Sequence, residues 1–86
     1  MDKAEILTGL RDIIGLYTEE KNVVDNITEE TDFLTDLKIN SANLVDIVLD
    51  IEEKFNISID NDSMAKMLNV KATLAVIETK LAENVG

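Results

Sequence analysis

The sequence predicts an all-α fold: one domain over residues 1–86, built as a small bundle of three main helices plus one short helix. Three observations carry this. Proline is absent and only three glycines occur in 86 residues, so few breakers interrupt the chain. Three segments repeat aliphatic residues at three- and four-residue spacing, the period of a helix with one buried face. Aromatic residues make up 3% of the chain, so the core has to be aliphatic. A chain of this size suffices for one core and leaves little room for an enclosed active site.

The first helix is expected over residues 3–17, where Ile6, Leu7, Leu10, Ile13, Ile14 and Tyr17 share a face. The polar stretch 18–32 reads as a long loop that pins itself to the core through Val23, Val24 and Ile27. The second helix is expected from about Ser41 to Phe55, with Asn40 or Ser41 as its cap and Leu44, Ile47, Val48, Ile51 and Phe55 as its core stripe. Asn56-Ile57-Ser58-Ile59 alternates and reads as an extended connector anchored by its isoleucines. Asp60 to Ser63 offers caps for a short helix over Met64–Leu68, which Asn69 can end because asparagine tolerates a left-handed conformation. The last helix is expected from Thr73 to about Ala82, with Leu74, Ile77 and Leu81 on one face and Val76 beside them. No internal repeat or low-complexity run occurs.

The charge is one-sided. Of a formal net charge of −10, residues 19–35 and 36–62 each carry −5, while the ends carry −1 and +1. Such a field repels nucleic acid and anionic membranes and steers basic protein surfaces toward the middle of the chain; it also serves solubility alone. There is no cysteine, hence no disulfide framework or thiolate metal site, and no histidine. No apolar run approaches a membrane span, and Met1 to Glu5 lacks the regions of a signal peptide, so a cytoplasmic protein without membrane insertion is expected. Asp60-Asn61-Asp62 and the run from Asp25 to Asp36 lack the central glycine of a calcium loop, and no metal site is assigned to them. Adjacent pairs such as Glu19-Glu20, Glu29-Glu30 and Glu52-Glu53 read as solvated faces rather than acid–base pairs. Without a histidine, a cysteine or a cofactor fingerprint, an enzyme is not expected.

Ser41 stands at the head of the acidic second helix, and no residue type in the chain activates it as a nucleophile. It is either a helix cap or a point where another enzyme attaches a group. Val45 and Leu49 lie one position off the core stripe, among Asp46, Asp50, Glu52 and Glu53. They either widen the core contact or form a docking strip with an acidic rim.

The surrounding pattern resembles the acyl carrier proteins. That family has a phenylalanine a few residues ahead of Asp-Leu-Gly, then two residues, then Ser-Leu at the head of an acidic helix ending in Glu-Glu-x-Phe. Phe33, Asp36-Leu37, Ser41, Val45, Leu49 and Glu52-Glu53-Lys54-Phe55 fall in register with it without a gap. The spacing of Ile57-Ser58-Ile59, Met64–Leu68, Val70 and the final helix also matches. The resemblance implies that Ser41 carries 4′-phosphopantetheine through a phosphodiester, installed from coenzyme A by a phosphopantetheinyl transferase. The arm's thiol then holds acyl groups as thioesters for fatty-acid- or polyketide-type biosynthesis. It implies apolar docking or pocket-mouth contacts at Val45, Leu49 and Met67, and an electrostatic face at Asp46, Asp50, Glu52 and Glu53. The implied partners are the transferase and acyl-loading and acyl-processing enzymes with basic surfaces, met by a monomer. The chain departs from the family at Lys38 (usually glycine), Asn40 (aspartate), Ala42 (leucine) and Asn43 (acidic). These departures point to a specialised free-standing carrier. A D-alanyl or other aminoacyl carrier, and an unmodified acidic interaction module of the same fold, are the alternatives.

Overall fold

The computed structural model describes residues 2–85. Five helices follow one another: α1 Lys3–Ile14, α2 Lys21–Asp25, α3 Ser41–Phe55, α4 Asn61–Lys66 and α5 Val70–Val85. Three are long and two are short, so the all-α bundle holds with one short helix more than expected. α1 packs on both α3 and α5. Their aliphatic stripes, including Leu10, Ile14, Ile47, Ile51, Leu74 and Ile77, are fully buried against one another. Gly9 lets α1 approach α3 closely: a Cβ there would stand 2.9 Å from the tip of the Phe55 ring.

α1 starts at Asp2, whose carboxylate accepts the Glu5 amide at 2.9 Å. It ends three residues before the expected Tyr17. The chain tightens there into a turn in which the Leu16 and Tyr17 amides bond the carbonyls of Ile13 and Ile14. The Lys21 ammonium donates to the carbonyls of Gly15 and Thr18, tying this turn to the next element. The expected loop 18–32 contains α2, a little over one turn long. Val24 is its buried residue, and Val23 and Ile27 pack partly on the core, as the loop reading required.

The segment leading into α3 is held from several sides. Phe33, Leu37 and Ile39 are buried. An isolated antiparallel bridge joins Asp32 to Asn69, with Phe33 N donating to the Leu68 carbonyl and Val70 N to that of Thr31, both at 3.0 Å. Asp32 accepts the amides of Leu34 and Thr35, and the Thr35 amide above all holds its carboxyl below the usual range. The bend places Lys38 in the left-handed region, at φ 55°. A residue with a Cβ is strained there, and the Lys38–Glu20 ion pair at 3.5 Å is exposed and therefore weak. Lys38→Gly is expected to stabilise the fold by about 0.5–1 kcal/mol, the strain released less the entropy glycine adds to the unfolded chain. Thermal melting checks this; Lys38→Ala, which keeps the Cβ, should give no such rise.

α3 has the expected bounds. Asn40 is its cap, accepting the Asn43 amide at 2.8 Å. Asn56 closes it in the left-handed conformation, at φ 54°. The connector that follows buries Ile57 and half-buries Ile59, and the Glu52 carboxylate accepts the Ile59 amide at 2.7 Å.

α4 begins at Asn61, earlier than Met64, because Asp60 occupies the cap position. Asp60 accepts the Ser63 hydroxyl at 2.6 Å and pairs with Lys80 of α5 at 3.3 Å. The Ser63 bond, first among these causes, lowers its carboxyl to about 2. Asn69 does not end α4, which closes at Met67. Its side chain instead accepts the Ala72 amide at 2.8 Å, so α5 starts at Val70, three residues before the expected Thr73.

Candidate functional site

Ser41 is the first residue of α3 and is exposed. Because Asn40 accepts the first-turn amide, the Ser41 hydroxyl has no partner among the described residues. The helix behind it runs for 15 residues with its positive end at this serine. The local sequence therefore presents a free hydroxyl at a helix N-terminus, backed by a segment whose buried Leu37 and Ile39 fix its position.

One turn on, Val45 is 46% exposed, and Leu49 beyond it is 56% exposed. Both face solvent, so neither widens the core contact. Helical periodicity sets Ala42, Asp46, Leu49 and Glu53 along the solvent side. Asp46 and Glu53 have no bonded partner among the described residues. Asp50 and Glu52 are half-buried and already engaged. Asp50 accepts the Tyr17 hydroxyl at 2.5 Å, a bond that pushes the phenol up to about 12. Glu52 holds the connector at Ile59. Met67 is 1% exposed, because it packs inward where α4 closes. It offers no outer docking surface. Leu34 and Leu68, absent from the expected contacts, are 40% and 46% exposed. Their segments are joined by the Phe33–Leu68 backbone bond, so both belong to the end of the bundle from which α3 starts. Among the described residues no cluster of carboxylates could hold a metal ion, and no helix is long and apolar enough to cross a membrane.

The family model of the phosphopantetheine attachment site matches residues 5–77. The chain belongs to that family of carriers. Curated acyl carrier proteins are similar along nearly their whole lengths. One from Exiguobacterium is 33% identical over 94% of this chain and 100% of its own. One from Helicobacter pylori is 37% identical over 83% of this chain and 94% of its own. A third, from Thermotoga maritima, is 35% identical over 92% and 95%. The solved structure of an acyl carrier protein from Enterococcus faecalis, described for its high thermal stability, covers 93% of this chain and 99% of its own, with a TM-score of 0.77. At 24% identity it shows the shared fold. Carriers of this family are not enzymes. They hold a covalent 4′-phosphopantetheine and are served by a phosphopantetheinyl transferase and by acyl-processing enzymes.

Sequence reasoning missed the engagement of Asp50, whose bond spans 33 positions of chain, and of Glu52, whose bond to Ile59 depends on how the connector after α3 turns back. It also missed the left-handed Lys38, for which the family's glycine at that position was the available signal.

Proposed function

We propose that Ser41 is the attachment point of the phosphopantetheine arm and that this carrier serves a dedicated fatty-acid- or polyketide-type pathway. The observation that carries the reading is the free, exposed Ser41 hydroxyl at the head of α3, released from capping by Asn40. In the attachment step the Ser41 oxygen bonds to the pantetheine-side phosphorus of coenzyme A and loses its proton to a base, while the pyrophosphate P–O bond breaks and 3′,5′-adenosine diphosphate leaves. The chain has no histidine or cysteine to serve as that base, so the transferase supplies it. Once bound, the arm supplies a terminal thiol that carries acyl groups as thioesters. The positive end of α3 favours the phosphodiester charge. Intact mass after incubation with coenzyme A and a panel of broad transferases tests the reading. A gain of one phosphopantetheine, mapped to the peptide containing Ser41, is expected; a chain left unmodified by the whole panel would overturn it.

The docking surface follows from the same geometry: Val45 and Leu49 as apolar contacts, with Asp46 and Glu53 as free carboxylates that attract basic partner surfaces to a monomeric carrier. Exposed charges act mainly on encounter rate. Asp46→Lys combined with Glu53→Lys is expected to slow loading at low salt, and the wild-type rate should fall as salt rises. Helical content should stay unchanged. Glu52→Lys is a poorer probe, because it also removes the bond to Ile59. Identical low-salt kinetics for wild type and double variant would discount this face.

A further inference from the structure

Three threonines are buried, Thr18, Thr31 and Thr73. Thr18 donates to the Leu37 carbonyl at 2.6 Å, and Thr31 accepts the Thr28 amide at 3.0 Å. Thr73, at 0% exposure, has no partner for its hydroxyl. An unpaired buried hydroxyl is costly to a domain whose total stability is small, and buried polar groups are as a rule bonded. Valine would fill the position without that cost.

The place of this hydroxyl is specific. Thr73 shares the inner face of α5 with Val70, Leu74 and Ile77, all buried. Val70 is tied to Thr31, Phe33 to Leu68, and Ile39 N to the Phe33 carbonyl at 2.9 Å. These bonds bring the start of α5 and the start of α3 to the same end of the bundle. Thr73, three residues into α5, lies less than one turn below that end. An acyl chain on a Ser41 arm that folded back between the helices at this end would pass Thr73. A saturated chain passing Thr73 leaves the hydroxyl unpaired, whereas an oxygen on an early carbon pairs it.

We propose that Thr73 Oγ1 is the hydrogen-bonding contact for a hydroxyl or keto oxygen near the thioester, so that this carrier shelters oxygenated acyl intermediates better than saturated ones. The inference rests on Ser41 carrying the arm. The test loads wild type and Thr73→Val with octanoyl- and 3-hydroxyoctanoyl-phosphopantetheine from the corresponding coenzyme A thioesters, verifies each by intact mass and compares thermal midpoints. In wild type the hydroxylated cargo is expected to raise the midpoint above the saturated one by about 4–8 °C, the shift one buried hydrogen bond gives in a domain of this size. In Thr73→Val the difference should vanish, and the unloaded variant should melt no lower than wild type. The Thr73 γ-methyl resonance of wild type, read without any variant, should differ between the two loaded forms. Equal midpoints in wild type, a difference that persists in Thr73→Val, or an unchanged Thr73 methyl signal would each overturn the proposal. They would leave a bound water as the hydroxyl's partner. A chain that gains no mass at all overturns the Ser41 reading instead, and this inference with it.

Discussion

Ser41→Ala is expected to lose all loading and almost no stability. The two effects separate because the serine does no structural work. Its side chain is exposed and unbonded, and the capping bond that starts α3 comes from Asn40. Removing an exposed, unpartnered hydroxyl changes stability by no more than about 0.5 kcal/mol, while it deletes the one atom to which the arm attaches. Asn40→Ala is the mirror image. It removes the acceptor for the Asn43 amide, so a loss of about 0.5–2 kcal/mol is expected, yet the hydroxyl remains and the chain stays loadable. Intact mass and thermal melting on both variants read the two columns independently. A Ser41→Ala chain that still gains the phosphopantetheine mass would place the attachment elsewhere.

Restoring the family residues around the serine is expected to raise loading by a general fatty-acid-type transferase. The restored chain carries Lys38→Gly, Asn40→Asp, Ala42→Leu and Asn43→Asp. Ala42 is exposed beside Ser41, so a leucine there gives a partner an apolar knob. Asn43 is half-buried and Asn40 exposed, and aspartate at either adds a carboxylate next to the serine. Each contact regained by a transferase that reads charge and an apolar knob is worth roughly 0.5–2 kcal/mol, so several together amount to a 10- to 100-fold gain or more. Folding is expected to survive, since aspartate caps a helix as well as asparagine does and Lys38→Gly relieves a left-handed residue. Loading rates for the two chains under one transferase provide the measurement. Equal rates would mean that these four positions do not tune recognition.

What the sequence makes legible follows the range of the interactions involved. α3 can be read closely because its stripe is long and both ends carry asparagines suited to caps, while the choice of Asn40 over Ser41 as the cap is made only by the bond to Asn43. α2 cannot, because five residues hold too little periodicity to separate a turn of helix from an anchored loop. Asn69 is a two-way signal, able to end one helix or start the next; the bridge to Asp32 and the bond to Ala72 decide for the second. Met67 closes a short helix whose pattern does not distinguish inward from outward, and only packing turns it into the core. The serine's place at the head of α3 is local and legible. The engagement of Asp50 with Tyr17 spans 33 positions of chain and leaves no local trace.

That last bond gives the protein an optical property. Tyr17 is the chain's one tyrosine and there is no tryptophan, so near-ultraviolet emission comes from a single ring, and in the folded state its hydroxyl is held by a carboxylate on α3. Its proton is retained up to about pH 12 when folded, against 10 for a free phenol. The bond therefore favours the folded state fully below pH 10, and that contribution is lost as pH climbs toward 12. Any event that draws the turn after α1 from α3 frees the phenol and changes its absorbance and emission. Unfolding can thus be followed at this seam without a label.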